Sequence, residues 1–190
     1  GADALAAEAA PSGGDEYQVS VEEVFAEFKK GLEKVVKPED VDTHYDLGVA
    51  YKEMGLIDDA VGEFSIARKG CIGKRKEIDC LSMIGMLQVS RGDTAAAIDA
   101  YRQALASEHS KGDVEKSLRY ELGAAYEAAN QAGRALGQYL KVQGLDGRYR
   151  DVAAHVDRLS AIAAPEDDEP PVPPKPATGS RPGARKVGYV

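Results

Sequence analysis

Tryptophan is absent from this chain of 190 residues, phenylalanine occurs three times and cysteine only twice. A disulfide framework therefore cannot carry the fold. No run of about 18 apolar residues occurs, which excludes a membrane-spanning helix. Basic residues are scarce, 24 Lys and Arg against 32 Asp and Glu. The net charge of -8 argues against a surface for nucleic acid or anionic lipid, which needs clustered cations. Cys71 and Cys80 lack a nearby histidine and match no zinc spacing. A reduced pair is expected, with a disulfide as the alternative. His44, His109 and His155 lie far apart, each without a His or Cys partner at helical spacing. Glycines never form a phosphate-binding loop followed by Lys and Ser or Thr. No catalytic group, metal or cofactor is expected, and nothing marks the chain as an enzyme. The start is acidic (Asp3, Glu8, Asp15, Glu16) and lacks the basic and apolar regions of a signal peptide, so a cytoplasmic location is expected. Opening on Gly1 and not Met, the chain reads as a fragment or a processed product.

What is present is a repeat. Leu47-Gly48 is followed by Tyr51, Gly55, Ala60, Phe64 and Ala67. Ile84-Gly85 is followed by Gly92, Ala97, Tyr101 and Ala104, and Leu122-Gly123 by Tyr126, Ala135 and Tyr139. The Leu/Ile-Gly pairs recur 37 and then 38 residues apart. Self-similarity at this period marks stacked helical hairpins. A mid-helix glycine costs about 1 kcal/mol relative to alanine. Finding it three times at one place implies that another helix crosses there with no room for a side chain. Phe64, Tyr101 and Tyr139 read as large knobs filling the space between units.

This pattern resembles the tetratricopeptide (TPR) repeat. The resemblance implies an all-α, right-handed superhelix of three helix–turn–helix units, at residues 41–70, 78–107 and 114–145. A leading helix over 20–37, opened by a Ser20/Glu23 capping box, reads as the back half of an incomplete repeat. Its Val21, Val24, Phe25, Phe28, Leu32 and Val35 share one face. A helix over 148–162 would cap the far end, since a terminal repeat otherwise exposes its stacking face. The domain thus spans 17–164, between a disordered leader at 1–16 and a disordered tail at 165–190 that holds seven of the nine prolines. Residues 170–175 read as spacer or polyproline ligand, and residues 181–190 as a segment able to dock as a short peptide. The large residue usual three places before the Leu-Gly pair is His44, Leu81 and Arg119 here, of which only Leu81 is expected to pack in the usual way.

In TPR proteins the first helices line a concave groove that binds peptides or partner proteins. By resemblance, the partner-binding groove here comprises Tyr45, Val49, Lys52 and Glu53 from the first unit, Ser82, Met86 and Val89 from the second, and Tyr120, Ala124 and Glu127 from the third. The Lys, Asn and Arg clamp with which chaperone-binding members hold a terminal carboxylate is replaced by Tyr45, Val49, Ser82, Met83, Ser117 and Glu121. A floor of Tyr, Val and Met instead suits an apolar or amphipathic partner. The function implied is a non-catalytic adaptor or scaffold. The segment 43–56 resembles TPR modules of bacterial motility and type IV pilus scaffolds, which implies a small GTPase or polar motility protein as partner. A spacer or self-associating solenoid, forming a homo-oligomer or continuing upstream repeats, is the alternative, as is the accessory region of a larger enzyme.

Overall fold

The computed structural model describes residues 20–167. The leader at 1–16 and tail residues 168–190 lie outside the described residues. Eight α-helices are present among those described: α1 (Val21–Val35), α2 (Val41–Glu53), α3 (Ile57–Lys69), α4 (Arg75–Arg91), α5 (Thr94–Leu105), α6 (Asp113–Ala128), α7 (Ala132–Leu145) and α8 (Val152–Ser160). Helices α2/α3, α4/α5 and α6/α7 pair as antiparallel hairpins, and each hairpin packs on the next through α3·α4 and α5·α6. The first helices α4 and α6 also touch each other directly, which sets the first helices on the inside of the stack.

The turns follow from backbone conformation. Each hairpin reverses through a residue with positive φ: Gly55 (76°), Gly92 (82°) and Asn130 (58°). Glycine adopts this region without a Cβ clash, and asparagine is among the few others that tolerate it. The Asp93 carboxylate then caps α5 by accepting from the Ala96 N–H at 3.0 Å.

The repeated glycines make room for a ring. A Cβ placed on Gly85 would lie 2.7 Å from the Tyr101 ring, and one on Gly48 or Gly123 would lie 2.9 Å from Phe64 or Tyr139. Each aromatic therefore lies against the glycine of its own hairpin, and Phe64 and Tyr139 also meet the next element, in a cluster with Leu87 of α4 and by stacking on His155 of α8. Ala60, Ala97 and Ala135 are fully buried and bring the second helix close enough for this contact. The residue three places before each Leu/Ile-Gly pair is buried or largely covered in all three units, by different chemistry. Leu81 is apolar and buried, whereas buried His44 faces Glu63 (2.6 Å) and the Lys37 carbonyl (3.1 Å). Arg119 donates to Glu115 (2.8 Å) and Gln138 (3.1 Å). The usual packing is thus not confined to Leu81, because hydrogen-bonded polar groups can be covered at little cost.

The ends depart from the sequence reading. The Ser20/Glu23 capping box is present, but α1 is covered on one side only. Phe25 packs edge-on against Tyr51 (5.7 Å), while Val24 and Phe28 are 55% and 52% exposed. These two hold the places at which α3, α5 and α7 meet their own first helices, and among the described residues α1 has no such partner. The second unit starts at Arg75, three residues before the expected 78, because α4 gains a first turn in which the Glu77 carboxylate accepts from the Gly73 N–H (2.7 Å). The capping helix begins at Val152 and not at 148, because Arg150 has φ +46° and breaks the helical run. The tail does not leave the domain at 165. Residues 165–167 run across α7, with the Glu166 N–H donating to the Gly133 carbonyl at 2.9 Å and Lys141 paired with Asp167 at 2.8 Å. Gly133 and Gly137 allow this, since a Cβ at Gly137 would stand 2.2 Å from the Glu166 carbonyl oxygen.

Cys71 and Cys80 are buried and unpaired by any disulfide. Burial pushes the Cys80 thiol up to about 12 and raises Cys71 as well, so neither is a ready nucleophile.

The ring-on-glycine contact predicts opposite effects at two kinds of helical glycine. Gly123→Leu should lower stability by about 1–3 kcal/mol, since the buried Tyr139 ring cannot yield. Gly62→Ala, with nothing within 4 Å, should raise it by up to about 1 kcal/mol. Thermal melts showing the same sign for both would overturn the assignment.

Candidate functional site

The inner face is built from equivalent positions of α2, α4 and α6. Val49, Met86 and Ala124 each follow the glycine by one residue, and Lys52, Val89 and Glu127 follow it by four. Only α4 presents apolar side chains to solvent at both places, with Met86 39% and Val89 40% exposed. Val49 is half-buried in the cluster around Tyr51, Phe64 and Leu87. Lys52 is half-buried and Glu53 exposed at the end of α2.

The tyrosines are set more deeply than a solvent-facing groove floor would be. Tyr45 packs edge-on to Phe64 (5.2 Å) with the Lys76 ammonium over its ring at 3.8 Å. Tyr120 packs edge-on to Tyr139 (5.4 Å), with the Arg150 guanidinium at 4.6 Å and its hydroxyl donating to Asp151. In both, a cation from the following helix or its lead-in covers the aromatic. Burial, with the hydrogen bond to Asp151, pushes the Tyr120 hydroxyl up to about 12. Burial, with Asp79 nearby, raises Tyr45 too. Ser82 stands at the same place in α4 and is half-buried.

The third unit is occupied by the chain itself. Glu127 accepts from Arg158 at 2.5 Å and lies 2.6 Å from His155 Nδ1, both on α8. His155 stacks on Tyr139 at 4.5 Å. Tyr120 and Glu127 are thereby engaged in holding α8 and do not line an open groove. Ala124 is half-buried between them. The structure thus gathers Tyr45, Val49, Ser82, Met86 and Val89 on the part of the inner face that α8 leaves uncovered. Sequence reasoning set His155 aside and did not single out Arg150, Asp151 and Arg158. The available signal was spacing, because Arg150 and Asp151 follow Tyr120 by nearly the interval at which Lys76 follows Tyr45.

Among the described residues no group of His, Cys, Asp and Glu could hold a metal, and no helix is long and apolar enough to cross a membrane.

No family model matches the chain, and no curated protein does. Solved structures do. One, "Crystal structure of MamA", superposes with a TM-score of 0.59 at 21% identity, covering 74% of this chain and 77% of that chain. A second, "Crystal structure of MamA protein", gives 0.58 at 21% identity, covering 74% and 72%. The fold is a TPR-type helical-repeat solenoid. At this identity the likeness speaks for architecture alone.

The clamp on α8 predicts acid sensitivity. Burial pushes the Glu127 carboxyl up, but the hydrogen bonds from Arg158 and His155 outweigh it and hold the group below its ordinary 4.5. A carboxylate lowered on folding stabilises fully above its unfolded value, and that contribution is lost as pH falls through the folded one. Amide exchange, corrected for intrinsic rates, should show α8 losing protection below pH 4.5 while α4 and α5 keep theirs. Equal retention in all three would remove the clamp as what holds α8.

Proposed function

We propose that this chain is a non-catalytic protein-interaction module that binds an apolar or amphipathic segment of a partner protein on its inner face. The observation that carries this is the exposure of Met86 and Val89 side by side on an inner helix. Long, adaptable methionine and flanking aliphatic area are what partner faces use. Half-buried Tyr45 and Val49 extend the patch toward α2, and Lys52 and Glu53 supply a polar edge. The TPR-type architecture supports the same reading, since stacked hairpins present an extended inner surface. In its finer form the proposal places the module in the cytoplasm as an adaptor of bacterial motility or pilus regulation, with a small GTPase or polar protein as the ligand. Support for that form is the resemblance of segment 43–56.

A second reading, self-association, is favoured by one observation. Val24 and Phe28 leave an apolar face of α1 open among the described residues.

The test is a paired capture with the full chain and its Met86→Asp/Val89→Asp variant as baits. Both positions are exposed, so the variant should fold, as matching helical circular dichroism would verify. A protein retained by the first and lost by the second is expected. Equal capture by both would move binding off this face. If self-association is the function, Phe28→Asp lowers the sedimenting mass and the Met86/Val89 variant does not.

A further inference from the structure

The inner face repeats one three-part arrangement and leaves one copy of it unfilled. In units one and three a tyrosine of the first helix lies edge-on to the buried aromatic of the second, and a cation covers it. In unit two the tyrosine's place is held by Ser82. The place of Lys76, nine residues before the next glycine, is held by Val114 of α6. The ring and the cation of the Lys76 position are therefore missing, and an open groove of about 270 Å³, with Arg75 among its lining residues, lies at this point between α4 and α6. Its apolar walls are Ile78, Val114 and Leu118. Ser117, which corresponds to the Asp79 lying near the Tyr45 hydroxyl, offers a hydrogen-bonding group where a phenol would reach. Asp113 stands at the rim with its side chain 95% exposed, paired with Lys116 at 2.9 Å. Asp79 is paired with Arg75 at 2.8 Å.

We propose that this groove seats a tyrosine side chain, and that Tyr189 of the chain's own C-terminal segment, with Lys186 beside it, is the occupant. The proposal rests on the inner face being a binding surface. Three facts favour this occupant. The segment 181–190 supplies at once the two parts that units one and three have at this place, an aromatic ring and nearby cations at Arg185 and Lys186. The chain sets out from the correct end of the helices. Asp167 is held by Lys141 in the last turns of α7, and that end is tied to the start of α6 by Lys116 and Asp146 at 3.1 Å. The groove lies at the same end, among the first turns of α4 and α6. Finally, the tether is long enough. Tyr189 lies 22 residues beyond Asp167. Extended Pro-rich sequence advances about 3.1 Å per residue, so a linker of that length can span several helix diameters of about 10–12 Å. Tethering raises the local concentration of the segment to the millimolar range, so a single anchored ring suffices.

The absence of tryptophan gives a direct test in the full chain. Tyr189→Trp places one tryptophan in the molecule. Its emission should shift to shorter wavelength and its quenching by acrylamide should fall, with no change on dilution. Adding Ser82→Phe, which fills the groove from within, should return the emission to that of a solvent-exposed indole. So should Lys186→Glu, which lies beyond the described helices in sequence and guards against a folding defect at position 82. Solvent-like emission from Tyr189→Trp alone would overturn the proposal. Protection that survives both second changes would place the ring elsewhere and overturn it too. Protection lost on dilution would assign the occupant to a second copy and overturn the intramolecular claim. None of these results depends on partner capture at Met86 and Val89. That capture can succeed while Tyr189 proves free, and the two readings fail separately.

Discussion

Each hairpin of this protein depends on an aromatic ring lying against a backbone with no Cβ. Phe64 on Gly48, Tyr101 on Gly85 and Tyr139 on Gly123 fix how closely the two helices approach and where they cross. Each ring buries apolar area worth about 1.5–3 kcal/mol, which outweighs the helix-propensity cost of the glycine. In a chain without tryptophan, these rings share the core with the buried Tyr51 and Tyr126 as its largest bodies. The fully buried alanines beside them serve the same approach. Because the crossing is set hairpin by hairpin, the positions facing inward on α2, α4 and α6 inherit a common frame. Differences among those positions then become differences in function.

That frame explains why three equivalent inner positions have three fates. At the first, Tyr45 is roofed by Lys76 from the next hairpin. At the third, Tyr120 is roofed by Arg150 and bonded to Asp151, and with Glu127 it anchors α8. At the second, Ser82 has no ring to offer and leaves an open groove. The exposed apolar pair of Met86 and Val89 lies on the same helix as that groove. The centre of the inner face is therefore its least self-satisfied part.

The architecture was legible from the sequence because it is written in strict offsets between residues with extreme properties. Glycine, alanine and a ring keep their spacing in every unit, and the turn residues with positive φ sit where glycine or asparagine marks them. The candidate site was legible only in part. Met86 and Val89 are exposed as their positions suggested, and Val49 is half-covered. Tyr120 and Glu127 were misread as open because their partners, Asp151, His155 and Arg158, lie about thirty residues away on a short helix. His44 and Arg119 looked like departures from good packing, yet they are covered because Glu63 and Gln138 on the facing helix satisfy them. Contacts of this kind join side chains whose sequence spacing carries no periodic signal.

The segment that crosses α7 after the last helix has a geometric consequence. With residues 165–167 laid into the groove over Gly133 and Gly137, and α8 showing Ala153, Ala154, Asp157 and Arg158 outward, the far end of the solenoid keeps Ile162 as its most exposed large apolar group among the described residues. At the α1 end Val24 and Phe28 stand open among the described residues. Were two copies to meet α1 face to α1 face, the contact would be a two-fold arrangement that uses up the face on both partners. Such contacts close at a dimer and cannot propagate into a filament.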